Sequence, residues 1–203
     1  MFHVKHEALL NAFPEAGPGL EKYAHWLETA GIERGLMGPR EADKIWDRHI
    51  ANCAVVQELI KPETSVIDIG SGAGLPGLVL AIVRPDIHMT LVEPLLRRCE
   101  FLSEVVADLN LSERVDVRRG RADEMKGLTA WVVTSRAVAP MTKLISWSMP
   151  LVKNGGEILA MKGSSAQREI DEAAKVLKNR TAQIVQCGEG IVDPLTTVVR
   201  VVV

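Results

Sequence analysis

The residues of this chain that can do chemistry stand where apolar runs stop. Asp68 lies within Val66–Ile69, Glu93 ends His88–Glu93, Arg121 and Asp123 follow Val115–Val117, Arg136 follows Trp131–Thr134, and Lys162 follows Glu157–Met161. Carboxylates accept hydrogen bonds from hydroxyls, amines and cations, whereas guanidinium and ammonium groups only donate, to oxyanions or carbonyls. With the apolar runs as parallel strands, Asp68 and Glu93 fall at one half of a common edge and Arg136 and Lys162 at the other. Such an edge suits a ligand with hydroxyls and positive charge beside an anionic one. Cys53, Cys99 and Cys187 are odd in number and far apart, matching neither a disulfide framework nor a zinc spacing, so reduced thiols and no metal are expected.

Gly70, Gly72 and Gly74 follow the first run at alternate positions, then Leu75-Pro76-Gly77 and the apolar stretch Leu78–Val83. This reads as a buried strand, a turn whose backbone can approach a ligand, and a helix. The pattern GxGxxG occurs as Gly72–Gly77, but a dinucleotide turn begins directly after the strand, and counted from Gly70 the third glycine is replaced by Leu75. Asp68 would also repel a pyrophosphate. S-adenosylmethionine carries a sulfonium and an ammonium and no phosphate, so it is the expected cofactor, held by Asp68, Gly70, Gly72 and Gly74. Glu93 lies 23 positions after Gly70, the distance at which an acid meets ribose hydroxyls. Asp123 with Ala122 borders the adenine. Arg136 interrupts an apolar strand end with a permanent charge, and its partner is either the methionine carboxylate or an RNA group. Lys162 is a similar case, and Arg118, Arg119 and Arg121 form a basic cluster. A turn that merely packs a helix on a strand is the plainer alternative.

These residues require a scaffold. Strands alternate with helices from Thr64 onward, and the last two strands, near Thr181–Cys187 and Thr197–Val203, have no helix between them. The expectation is an α/β, class I S-adenosylmethionine-dependent methyltransferase fold: a Rossmann-like, mostly parallel seven-stranded sheet with an antiparallel C-terminal hairpin. Residues 1–63 show helical punctuation only, with helices near Val4–Phe13, Gly19–Ala30 and Arg40–Leu59, and are expected to form a cap on a methyltransferase domain of residues 64–203. In the last of these helices Ile45, His49, Asn52, Val56 and Leu59 share a stripe; His49 is read as a core histidine satisfied by a nearby amide or, secondarily, as facing the cofactor pocket. Asn154-Gly-Gly156 reads as a turn into the fifth strand. A chain with 47% hydrophobic residues, no membrane-length apolar run and no signal-peptide h-region is expected to be cytoplasmic, and a net charge of −2 excludes a general nucleic-acid coat.

Asp68–Gly77, Gly120-Arg-Ala122, Thr134-Ser-Arg-Ala137 and Met161-Lys-Gly163, with Trp46-Asp-Arg-His-Ile50 upstream, resemble the bacterial small-subunit ribosomal RNA guanine-N7 methyltransferase family, RsmG or GidB. The resemblance runs from about residue 20 to the C-terminus. It implies cofactor contacts at Gly70, Leu75, Glu93, Pro94, Leu95, Ala122, Asp123 and Arg136, and associates Arg121, Arg136 and Lys162 with RNA or the reaction. Its implied partner is 16S ribosomal RNA or the small ribosomal subunit, met by a monomer away from membranes. Many members carry His-x-x-Asp-Ser where this chain has His49, Asn52 and Cys53, which argues against a required carboxylate there. Guanine N7 already presents a lone pair, so no general base is expected and alignment carries the rate. The competing readings are a small-molecule methyltransferase, a non-catalytic cofactor-sensing assembly factor and, more distantly, a nicotinamide oxidoreductase.

Overall fold

From Ser65 onward, the apolar runs join one sheet and the helices between them cover its two faces. The structure, a computed structural model, describes residues 6–178 and 180–203. Strands β1 (Ser65–Ile69), β2 (His88–Glu93), β3 (Val115–Arg119), β4 (Ala130–Arg136), β5 (Val152–Lys162), β6 (Ala182–Cys187) and β7 (Thr196–Val202) lie in the order β3-β2-β1-β4-β5-β7-β6. The pairs β1–β2, β2–β3, β1–β4 and β4–β5 are parallel, whereas β7 runs antiparallel between β5 and β6. Strand order reverses between β1 and β4, so the crevice beyond their carboxyl ends is where a ligand fits such a sheet.

Side-chain alternation divides the core into two layers. Val66, Val132 and Leu159 face a cluster that includes α4 (Gly77–Val83), α5 (Leu96–Asp108) and the N-terminal helices, while Ile67, Val133 and Ile158 face α6 (Met141–Ser148), α7 (Ala166–Glu172) and α8 (Ala174–Leu177). Helix α4 is buried along nearly its whole length because it lies between the sheet and the N-terminal helices, which accounts for a run of apolar residues with no polar face.

The N-terminal segments are helical, with two departures from a regular pattern. Helix α1 (Glu7–Ala12) falls within the expected Val4–Phe13, whose first residues lie outside those described, and α2 (Gly17–Trp26) widens into a π turn over Leu27–Gly31. The expected helix Arg40–Leu59 is a helical rod of changing pitch: 3₁₀ over Pro39–Lys44, π over Ile45–Ala51, α3 (Asn52–Ala54), then 3₁₀ over Val55–Leu59. The wide turn runs at His49–Ala51 into a stretch, His49 to Val56, that is buried except for Asn52.

The expected turn at Asn154–Gly156 is a bulge inside β5. Strand β5 begins at Val152, the register against β4 jumps between Ala130 and Val132, and Gly155 takes φ +78°. Antiparallel pairing with the chain end holds the bulge, since Gly155 N–H donates to Val203 O at 2.8 Å. The expected helix Ala166–Leu177 likewise divides at Ala173 into α7 and α8. No helix among the described residues is long and apolar enough to cross a membrane.

Candidate functional site

The turn after β1 is shaped by three left-handed glycines, Gly70 at φ +66°, Gly72 at +60° and Gly74 at +101°. An L side chain at any of them is strained. A Cβ on Gly74 would collide with Leu78, with Cγ at 2.8 Å, and would come within 3.0 Å of the Tyr23 hydroxyl. Asp68 alternates with Ile67 and Ile69 and so points to the side covered by α4. It is fully buried beneath the turn, and its Oδ2 accepts from Gly77 N–H at 3.1 Å while Oδ1 has no hydrogen-bond partner among the described residues. Burial outweighs that N–H contact and pushes the carboxyl up to about 7. The turn therefore rests on Asp68, with Gly70, Gly72 and Leu75 forming its partly open surface. Tyr23, the chain's single tyrosine, supports it from α2 by donating to Ala73 O at 2.8 Å.

At the end of β2, Glu93 is buried but not isolated. Its Oε2 accepts from Gly72 N–H at 2.9 Å, its Oε1 accepts from Leu95 N–H at 3.0 Å, and Arg98 Nη1 stands 3.7 Å away. Two backbone donors thus aim one carboxylate across the glycine turn. Beside it Pro94, Leu95 and Leu96 are exposed, the two leucines at 45% and 50%, and make an apolar ledge. Past β3, Arg121 pairs with Asp123 at 3.1 Å, lies within 3.7 Å of Glu124 and stands over the Trp147 ring at 6.0 Å. That ion pair holds the Asp123 carboxyl below its usual range.

At the ends of β4 and β5 the two cations separate. Arg136 shares its face with Val132 and reaches the N-terminal rod: Nη2 meets His49 Nδ1, and Nη1 donates to Cys53 Sγ at 3.3 Å and to His49 O at 3.5 Å. His49 Nε2 in turn lies 2.8 Å from Glu41 Oε2. Lys162 shares its face with Ile158 and Ala160 and turns to α7, donating to Glu169 Oε2 at 2.7 Å and to Ala139 O at 2.8 Å. Both still line the mouth of one large cavity, about 1350 Å³, walled by residues 136–140, by Arg48 and Asn52 from the rod, and by the β6–β7 loop. Val138 joins the two halves. It lines that cavity, and a Cβ placed on Gly70 would lie 2.7 Å from its Cγ2.

The expected residues therefore form two adjoining groups, with Asp68, Gly70–Leu75, Glu93 and Leu95 in one and Arg136 and Lys162 in the other. Arg121, Ala122 and Asp123 stand beyond β2 at the far end of the first group. Sequence reasoning missed Tyr23, Glu41, Val138, Glu169 and the segment 191–197, the end of the β6–β7 loop with the first residues of β7. Of these only Glu169 carried a signal, standing one helical turn after Ser165, from which its Oε1 accepts at 2.9 Å. The amide reading of His49 is corrected: Asn52 spends its amide on Asp47 O and Arg48 O and accepts from Thr196 Oγ1, while His49 is held by charged partners.

Comparison with known proteins gives the same picture at the level of family and fold. The family described as GidB, rRNA small subunit methyltransferase G, matches residues 18–191. The chain is 52% identical to the Ribosomal RNA small subunit methyltransferase G of Thermobifida fusca, covering 98% of this chain and 86% of that protein. It is also 52% identical to the protein of that name from Mycobacterium marinum, covering 90% and 84%. Among solved structures, P. horikoshii TYW2 in complex with MeSAdo superposes with TM-score 0.60 at 16% identity, covering 82% of this chain and 63% of that one. A precorrin-6y C5,15-methyltransferase from Geobacter metallireducens gives TM-score 0.55 at 10% identity, covering 83% and 90%.

Proposed function

The chain belongs to the GidB family of rRNA small subunit methyltransferases G, and from that premise we propose that it methylates N7 of a guanosine in 16S ribosomal RNA. It is an S-adenosylmethionine-dependent enzyme, and the residues present fit that cofactor. Asp68 offers a buried oxygen without a partner among the described residues, Gly70 and Gly72 open the backbone to approach, and the Glu93 carboxylate is set by two N–H donors beside an exposed apolar ledge. The bound cofactor supplies a methyl group on a sulfonium, ready for attack by a nucleophile.

The remaining work falls to the chain. Glu93 would accept from the ribose hydroxyls with the lone pairs its backbone donors leave free. Leu95 and Leu96 would flank the adenine, with Ala122 and Asp123 at its edge. The glycine turn Gly70–Leu75 would hold the amino-acid end above Asp68. Because N7 already carries an in-plane lone pair, no residue need remove a proton, and catalysis reduces to bringing nucleophile, methyl and sulfur into line. Arg136 orients the guanine O6 or a neighbouring phosphate; a two-pronged contact to O6 and N7 is excluded, since it would occupy the reacting lone pair. Lys162 holds residues 139–141 through Ala139 O and Glu169, and Arg121 meets RNA at the outer rim.

The observation that carries this reading is the contact of Gly70 with Val138, which sets a nucleoside-binding turn one side chain from a cavity of about 1350 Å³. That volume exceeds the roughly 300–1,000 Å³ of small-molecule pockets. It favours an extended acceptor over a metabolite. The N7 edge of paired RNA lies in a groove too deep and narrow to enter, so the target guanosine is unpaired or turned out of its stack. We place the protein in the cytoplasm, working as a monomer, with residues 1–63 as the cap. Incubation with labelled S-adenosylmethionine and unmodified 16S RNA or small subunits, followed by nucleoside analysis, should yield 7-methylguanosine. Cofactor binding without label in either acceptor would instead identify a cofactor-sensing assembly factor.

A further inference from the structure

We propose that His49 is a positioning residue for methyl transfer: its neutral ring, fixed by Glu41, accepts from Arg136 and holds the guanidinium at the cavity mouth, and protonating the ring releases it. The inference rests on the functional reading above, in which Arg136 meets the acceptor. Among the described residues Arg136 has no ion-pair partner. By contrast, Lys162 is matched by Glu169, Arg121 by Asp123, Arg84 by Asp86 and Arg200 by Glu157. The contacts that hold Arg136 are neutral acceptors only, namely an imidazole nitrogen, a thiol and a backbone carbonyl. A half-buried guanidinium held that way is fixed in direction while its charge stays available for an incoming anion or carbonyl.

The partners also determine the ring's proton. Arginine has no acceptor, so Nδ1, which faces it, carries no hydrogen; the single proton sits on Nε2 and is donated to Glu41 Oε2 at 2.8 Å. Glu41 is itself steadied by Arg48 at 3.2 Å and Lys44 at 3.5 Å. The charged groups facing the ring are therefore Arg136 from β4, Glu41 from the 3₁₀ turn and Arg48 from its own segment. Burial and then Arg136 hold the imidazole below the ordinary histidine value, against the opposing pull of Glu41. At neutral pH the acceptor form prevails. As pH falls through the lowered value, Nδ1 becomes a donor, two cations face each other, and the clamp opens.

The resulting acid limb in rate resembles that of a general base, so the test must separate the two. It measures kcat against pH at saturating cofactor and RNA for wild type, His49→Gln, His49→Ala, Arg136→Met and the double variant His49→Ala/Arg136→Met. Glutamine can accept from Arg136 and donate to Glu41 without titrating. We expect His49→Gln to keep kcat within about tenfold of wild type and to lose the limb. His49→Ala should fall about 100-fold, as a misplaced catalytic group does, and should add nothing once Arg136 is gone. Nitrogen-15 spectra of the histidine ring should show the Nε2-protonated form, with the Nδ1 signal moving in Arg136→Met. A limb that persists in His49→Gln, multiplicative losses in the double variant, or an Nδ1-protonated ring overturns the proposal alone. A wild type that transfers no methyl group to ribosomal RNA at any pH overturns the functional reading and this role together.

Discussion

The glycine turn and the Arg136 rim lie side by side at the carboxyl edge of the sheet, yet they draw their hydrogen bonds from different distances along the chain. Asp68 reaches Gly77, and Glu93 reaches Gly72 and Leu95, all within 21 positions and all through backbone N–H groups. Arg136 reaches His49 and Cys53 across 87 and 83 positions, through side chains in two of its three contacts. A rim built from backbone donors changes only if the turn itself is rebuilt. A rim built from side chains of two packed segments can be loosened by one substitution or one proton while the sheet stays intact.

That contrast can be broken in several places. The largest effect is expected at Arg136, where Arg136→Met should lower kcat/KM by about 10²–10³-fold, the usual cost of removing one preorganised donor. If the two rims are separate in function, calorimetric affinity for S-adenosylmethionine will change far less than the rate. A parallel loss of affinity would place Arg136 on the methionine carboxylate. On the other rim, Gly74→Ala combines a left-handed backbone with overlap onto Leu78 and should cost about 1–3 kcal/mol, seen in denaturant titration together with weakened cofactor binding.

The pH dependence of stability sharpens the comparison next. Asp68 is pushed up to about 7 in the folded chain, so between the ordinary carboxylate range and pH 7 the folded state holds a proton that the unfolded state has lost. Stability from this group is therefore full in acid and declines as pH rises toward 7, by no more than about 1.4 kcal/mol per pH unit. Asp68→Asn should remove that slope; denaturation of both proteins at pH 5 and pH 8 checks it, and equal slopes would refute the assignment. The smallest effect is expected from Tyr23→Phe, which deletes one buried hydrogen bond under the turn and should cost about 1 kcal/mol without altering the rate at saturating cofactor.

Legibility followed the same division. Asp68, Gly70, Glu93 and the parallel order were readable because alternation, glycine spacing and strand-to-helix rhythm are properties of a few consecutive residues. The parting of Arg136 from Lys162 was set by register, since Arg136 stands opposite Met161 and Lys162 therefore falls on the other face. The partners of His49 were not readable. Nothing within the rod 39–59 indicates that Arg136 arrives from β4, or that Asn52 is taken by Thr196 at the start of β7. By itself Asn154-Gly-Gly156 spells a turn, because Val203, which pairs with the bulge at Gly155, lies nearly fifty residues on.

Composition and local pattern alone determined the sheet class, the glycine turn after β1 and the acid that ends β2, because backbone conformation and burial are imposed by near neighbours. Tertiary structure decided which side chains neutralise or aim the cations, why Tyr23 lies under the turn, and how the cavity is walled. Those choices depend on which distant segments are packed together, and the free energy of a buried charge is set by whatever stands next to it in space.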